Sequence, residues 1–283
     1  MTPMPSPDRG QDAFDADSAQ GLDAQMEELL EEFGARDAAD AEVPAAGAAN
    51  APEGDEDTYW SLSRTPLTSL VFTLPLVLAY EGGVLLLGRG SPRNGADVWL
   101  RQLLDGLGFG SYFLLPALTV LALLAWHHIE HDRWRFSPAV LVGMCGECLL
   151  LAGVLVGLAR LQNRLWPLGI GEGVTALFAR FVGFCGAGLY EEVLFRLLLL
   201  PAAVWLLERL GFSSFVACAW SVVLTSLLFS AAHYVGPLGD SFALYSFTFR
   251  TVAGLFFALL FLLRGFGIAA GTHFFYDLLV GLL

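Results

Sequence analysis

The hydrophobic and polar positions of this chain fall into long apolar runs separated by short polar breaks. Runs of roughly 20 residues are long enough to cross the ~30 Å hydrocarbon core of a bilayer as helices. Seven such runs are present, at about 66 to 88, 110 to 127, 138 to 160, 184 to 207, 213 to 234, 242 to 263 and 266 to 283. Each break carries turn or anchor chemistry, as in Gly88-Arg89-Gly90-Ser91-Pro92, His131-Asp132-Arg133-Trp134-Arg135, Trp166-Pro167-Leu168-Gly169, Gly236-Pro237-Leu238-Gly239-Asp240 and Arg264-Gly265. Trp60, Trp126, Trp134 and Trp166 stand near run ends, where an interfacial aromatic belt places them. The stretch from Glu172 to Gly183 is apolar but short and carries Arg180; it reads as an interfacial or re-entrant piece, or as part of an eighth crossing. The pattern predicts an all-α, polytopic transmembrane helix bundle of about seven to eight spans.

Composition agrees, since 55% of the 283 residues are hydrophobic, more than one soluble core of this size requires. The net charge of −13 first suggests an acidic protein, but its distribution removes that reading. Residues 1 to 58 hold 16 of the 28 acids with only Arg9 and Arg36, whereas residues 59 to 283 hold 12 acids and 13 arginines. The membrane part is nearly neutral, and the acidity belongs to a leading tail. That tail is too poor in apolar surface to offset its ordering entropy, so it is expected to be mostly disordered, with a short helix conceivable over Ala24 to Phe33. It shows neither the basic nor the apolar region of a secretory signal. Three regions follow: an acidic tail over 1–58, N-terminal transmembrane helices over 59–171 and a second helical region over 172–283. The expected setting is a bacterial cytoplasmic membrane, with lipid as a partner and no nucleic acid. Arginines divide five against five between the two faces, so they do not orient the chain.

Three polar insertions interrupt the apolar runs. They are Tyr190-Glu191-Glu192-Val193-Leu194-Phe195-Arg196, Phe229-Ser230-Ala231-Ala232-His233 and His273-Phe274-Phe275-Tyr276-Asp277. A charged side chain at the bilayer centre costs about 2.5 to 3.5 kcal/mol on insertion scales, so these groups require a wet cavity, partners or a task. On a helix, Glu192 and Arg196 are i,i+4 neighbours in the favourable order for an ion pair. Glu191 then points about 100° away, which leaves one carboxylate held by arginine and the other free to act as a general base. The bland alternative is a charge cluster that only pins helices together. Phe229 and His233 share a helix face, as do His273 and Asp277. His273 lies about 10 Å into the last run at 1.5 Å per residue. Glu191 is expected near the start of its helix and His233 near the end of the next, so that both line one cavity opening to one face. Gly183, Gly186, Ala187 and Gly188 would let a neighbouring helix approach closely.

Other polar groups give weaker signals. Glu81, Glu147 and Arg250 look isolated within their runs, with Arg250 a candidate to neutralise one of the site carboxylates. His127, His128 and His131 are read as an interfacial loop rather than a metal site. Cys145-Gly146-Glu147-Cys148 has redox spacing but lacks the βαβ context that would support it. All four cysteines lie in apolar runs, and no disulfide framework is implied.

With its EExxxR, FxxxH and HxxxD motifs in order, the sequence resembles the CPBP family, the CAAX protease and bacteriocin-processing (Abi) proteins that include type II CAAX prenyl endopeptidases. The resemblance covers about residues 180 to 283. It implies an intramembrane endopeptidase acting on a membrane-tethered, CAAX-like peptide or protein. Glu191 and His233 would activate water, His273 and Asp277 would stabilise the oxyanion, and Glu192, Arg196 and Phe229 would support them. The family pattern admits Asn or Asp at the last position. Asn can donate a hydrogen bond to an oxyanion and ionised Asp cannot, so Asp277 is protonated, orients His273 or serves otherwise. No cofactor is expected; the alternative is zinc held by Glu191, His233, His273 and Asp277. A different class of function, a non-catalytic immunity factor, scaffold or transporter, would use the same cavity for binding.

Overall fold

The computed structural model describes residues 58–88, 93–110, 112–131, 133–163, 174–236 and 239–282. The acidic tail and the short helix expected within it lie outside the described residues, as does the start of the Glu172 to Gly183 stretch. The described residues form helices α1 (Tyr59–Arg64), α2 (Pro66–Leu87), α3 (Gly95–Gly106), α4 (Leu114–Ile129), α5 (Pro138–Asn163), α6 (Val174–Gly186), α7 (Leu200–Arg209), α8 (Ser214–Ala232), α9 (Leu244–Arg264) and α10 (Phe266–Leu282). Two π-helical segments, Ala187–Glu191 and Val193–Leu199, join α6 to α7. No strand occurs among the described residues.

Helix boundaries follow the local chemistry. Thr58 caps α1 through Ser61 N–H, and Thr65 caps α2 through Thr68 N–H, with Pro66 at the first helical position. Asn94 caps α3, whose first turn carries Asp97. Gly88, Gly211 and Gly265 end their helices with φ of 81°, 95° and 84°, a conformation that glycine adopts without steric cost. Gly265 alone separates α9 from α10, which lets the chain reverse there.

All seven apolar runs appear as helices. Four of them, α2, α5, α8 and α9, are long and apolar enough by length and composition to cross a membrane, and α4 is a shorter apolar helix. Their apolar residues face both inward and outward. On α2, Tyr80 and Val84 are buried while Leu78 and Leu86 are exposed; on α5, Met144 and Leu155 are buried while Val142 and Leu150 are exposed. A helix apolar on every side is suited to lipid rather than water, and the protein is an integral membrane protein.

One expectation is corrected. The described part of the stretch before 184 is not a re-entrant piece, because α6, the π segments and α7 form one helical run from Val174 to Arg209. That run is about 50 Å long at helical rise, so Glu191 lies in its middle rather than near its start. The sequence map also missed α3, a short amphipathic helix.

The bundle is organised around α10, which packs on α5, α9, α2 and the first π segment. Phe266, Ile268, Ala269 and Ala270 are fully buried. Close approach depends on small residues. A Cβ at Gly188 would stand 2.8 Å from Phe274 Cβ, and one at Gly267 would stand 2.9 Å from Ser69 Cα. Gly186 is backed by the ring of Tyr80, whereas Gly183 faces open space.

At the end of α9 away from the polar insertions, Glu147 is not isolated. It accepts Arg264 Nε at 2.7 Å and Nη2 at 2.8 Å and is bonded by Tyr59 Oη. Arg264 also donates to Ser63 Oγ at 2.9 Å and covers Trp60, 3.9 Å from the ring centroid. This cluster ties α1, α5 and α9 together. Cys145 and Cys148 are free thiols, and Cys148 Sγ donates to Ile268 O at 3.5 Å. His127 is buried at the end of α4 against Trp134, and His128 stacks on His131.

Candidate active site

The two glutamates stand where the helix changes its winding. Ala187–Glu191 and Val193–Leu199 are π-helical, with Glu192 at the junction. A π turn takes in more residues than an α turn, so neighbouring side chains are splayed by less than the 100° of an α-helix. Both carboxylates approach the same imidazole, that of His273, each at a different ring nitrogen. Glu192 Oε1 lies 2.7 Å from His273 Nδ1, and Glu191 Oε2 lies 3.9 Å from His273 Nε2.

Glu192 and Arg196 form the expected i,i+4 pair, with Nη1 donating to Oε1 at 3.0 Å. Both are buried. Arg196 Nη2 also donates to the Gly254 carbonyl of α9 at 3.0 Å, so one guanidinium joins the central run to α9. The same Glu192 oxygen is shared with His273 from α10. A buried ion pair is favourable only when its remaining hydrogen-bonding capacity is met; here the imidazole and the carbonyl supply much of that.

Glu191 serves a different set of partners. Its Oε1 accepts Asn94 Nδ2 at 2.8 Å. Its Oε2 is buried and makes no hydrogen bond among the described residues. It faces His233 Nε2 at 3.8 Å and His273 Nε2 at 3.9 Å. Those separations are too long for direct hydrogen bonds and of the size that a bridging oxygen spans. His233, which ends α8, has Nδ1 2.8 Å from the Phe229 carbonyl. A carbonyl only accepts, so Nδ1 carries the proton, and in the neutral ring Nε2 presents its lone pair toward Glu191.

Phe229 fixes both histidines. Its ring meets His233 edge to face at 5.0 Å and His273 at 5.9 Å, and the Arg196 guanidinium lies 4.5 Å from its centroid. Phe257 stacks on His273 with centroids 4.5 Å apart and planes within 12°. Aromatic and cation–π contacts of this kind are each worth about 0.5 to 2 kcal/mol. Together they set the planes of the two imidazoles.

Asp277 is one helical turn beyond His273, with Oδ2 3.7 Å from Nε2. It therefore does not orient His273 through a direct bond; Glu192 does so from the other ring nitrogen. Arg250 does not neutralise a site carboxylate by an ion pair, because its Nη2 pairs with Asp240 at the rim. Above Glu191 and His233 opens a cleft of about 480 Å³, lined by Arg93, Ala96, Trp99 and Phe195 among others, with Gly236 and Asp240 at its edge.

Asn94 was not anticipated from the sequence, and neither were the partners of Glu81. Asp97 is wholly buried and accepts from Tyr80 Oη at 2.9 Å, Arg93 Nη1 at 2.7 Å and Arg101 Nε at 2.5 Å. Arg101 Nη2 continues to Glu81 Oε1 at 2.8 Å, which also accepts Tyr190 Oη at 2.6 Å. Burial works against the charge on Arg93, but Asp97 outweighs it and the guanidinium titrates above its usual range. An Asn followed by Asp three residues on marks a helix start, which is the signal that could have found α3. Nothing local indicates that Asn94 reaches Glu191, 97 residues away.

The side chains as placed are spaced more widely than an ideal tetrahedral zinc site requires. Ligand atoms around tetrahedral zinc lie about 3.4 Å apart, closer than the 3.8 and 3.9 Å separations from Glu191 Oε2. Among the described residues no group of three or more His, Cys, Asp or Glu is arranged to hold a metal ion.

Residues 173–279 match the family model described as Type II CAAX prenyl endopeptidase Rce1-like. No curated protein and no solved structure among those compared matches the chain.

Proposed function

We propose, from the match of residues 173–279 to the type II CAAX prenyl endopeptidase family model, that the protein is an intramembrane endopeptidase in which Glu191 activates the attacking water. The observation that carries this reading is Glu191 Oε2, buried, without a hydrogen bond among the described residues, and facing two imidazole nitrogens beside a cleft that Glu191 and His233 line. A water between these three atoms would give one proton to Glu191 and hold its other against His233 Nε2. Its oxygen would add to the scissile carbonyl carbon. His273 donates Nδ1–H to Glu192; when Nε2 is also protonated, the buried Glu192 carboxylate supports the imidazolium, and Nε2–H is the donor to the developing oxyanion. Collapse of the adduct breaks the C–N bond, and the proton held by Glu191 passes to the leaving amine.

The substrate class is a peptide tethered to the membrane near its C-terminus, of the CAAX type. Two features support it: the family match, and a cleft lined both by apolar residues such as Trp99 and Phe195 and by the polar Glu191 and His233. The setting we propose is a bacterial cytoplasmic membrane. The test is product mapping. The purified protein in proteoliposomes is given a farnesylated peptide ending in a CAAX sequence, in H₂¹⁸O with chelator present. Release of the terminal residues with one ¹⁸O in the new carboxylate supports the reading. Cleavage that stops on chelation and returns with zinc would replace it by a metal-dependent one. Failure to cleave any tethered peptide would favour a binding role for the cavity.

A further inference from the structure

Asn94 lies outside the segment that matches the family model, in the loop that opens α3, yet its side chain is part of the candidate site. Its Oδ1 accepts Ala96 N–H at 2.9 Å, the capping bond of α3. That bond settles which end of the amide is which, so the group facing Glu191 Oε1 at 2.8 Å is the NH₂. An NH₂ group can only donate, and a carboxylate oxygen is its natural acceptor. The backbone of Asn94 is held as well, because its N–H donates to Tyr80 Oη at 3.1 Å. Tyr80 in turn is bonded to Asp97, which Arg93 and Arg101 grip from both sides. The amide is thus secured at its backbone, at its oxygen and at its nitrogen. Its backbone and oxygen are held by Tyr80 of α2 and Ala96 of α3.

We propose that Asn94 is a positioning residue for Glu191: its Nδ2–H occupies Oε1, so that Oε2 alone is presented to the gap between His233 and His273. The N-terminal helices thereby complete a site whose other groups all come from the C-terminal half. The kinetic consequence rests on the peptidase reading; the contact itself does not.

The test uses the full chain with Asn94→Asp, Asn94→Ser and Asn94→Ala. Asp and Ser cap helices nearly as well as Asn, so they preserve α3, but ionised Asp has no donor and the Ser hydroxyl, one bond shorter than the Asn amide nitrogen, does not reach Glu191. A purely structural role predicts Asp at the wild-type level and Ala the most damaged. The positioning role predicts that Asp and Ser both lower kcat on the farnesylated peptide by about 10- to 100-fold, the worth of a hydrogen bond to a charged group. KM and the melting temperature in detergent stay near wild type. A second readout needs no substrate. Dicyclohexylcarbodiimide attacks protonated carboxyl groups in apolar surroundings, and two facing carboxyl groups share a proton. Asn94→Asp is therefore expected to raise labelling of the Glu191 peptide at pH 7 by about threefold or more, read by mass spectrometry. Wild-type kcat in Asn94→Asp overturns the proposal. Should the wild type cleave none of the peptides, the peptidase reading fails separately and labelling decides, with unchanged labelling overturning the role of Asn94.

Discussion

Glu192 and His273 meet at 2.7 Å although 81 residues separate them in the chain. The contact divides the two ring nitrogens between two tasks. Nδ1 is committed to a buried carboxylate, which leaves Nε2 to face Glu191, Asp277 and the cleft. A carboxylate behind an imidazole fixes the ring and its tautomer, and here Arg196 holds that carboxylate from the other side. The adjacent glutamates are thereby divided: one bonds the histidine and the other presents Oε2 to the gap between the two imidazoles.

Arg196 is then a structural keystone. Arg196→Met removes the guanidinium from Glu192, from the Gly254 carbonyl and from the face of Phe229, and leaves a buried carboxylate short of a partner. The expected loss is about 3 to 5 kcal/mol of stability, measured by thermal or denaturant unfolding in detergent. Arg196→Lys is expected not to restore it, because an ammonium cannot reproduce the planar fork that serves two acceptors.

Asp277 is the member of the set whose chemistry differs most from an oxyanion donor. Asn at this position carries an NH₂ that can donate. Asp277→Asn is expected to retain cleavage of the farnesylated peptide, and Asp277→Leu to lose it with folding intact. Loss of cleavage in Asp277→Asn would show that the carboxyl group itself is required.

The Glu147–Arg264 cluster lies at the far end of α9 and touches none of the site groups. Arg264→Gln is expected to cost about 3 kcal/mol by stranding Glu147 and loosening α1. The kcat per folded molecule should remain at the wild-type value, separating stability of the bundle from chemistry at the cleft.

Much of this arrangement was legible in the sequence, and the reasons differ by feature. Apolar run length reports directly on membrane-scale helices, so every expected run is present as a helix. The charged and imidazole motif residues were legible because such groups within an apolar run are costly and conspicuous; the fold brings Glu191, Glu192, Arg196, Phe229, His233, His273 and Asp277 into one cluster, of which Glu191 and His233 line the cleft. Their roles as reactive groups remain our proposal. The π winding left no readable trace, and neither did the approach of both glutamates to His273. Nor could spacing reveal that Glu81 meets Arg101 and Tyr190, or that Glu147 meets Arg264, since those partners come from other helices. Nor does spacing reveal that the Arg180 guanidinium reaches the Gly281 carbonyl at the end of α10. Asn94 was missed for the plainest reason: a capping residue looks the same whether or not its other end holds a glutamate.

The most direct measurement compares wild type with Glu191→Gln for release of the terminal residues from the farnesylated peptide in proteoliposomes. Gln fills the same space and can still face Asn94 and the histidines, but it cannot take a proton from water. The expected result is loss of cleavage by at least about 1,000-fold, within the 10²–10⁴ that a positioned general base contributes, with yield and melting temperature unchanged. Cleavage at the wild-type rate by Glu191→Gln would contradict the assignment of Glu191 as the group that activates water.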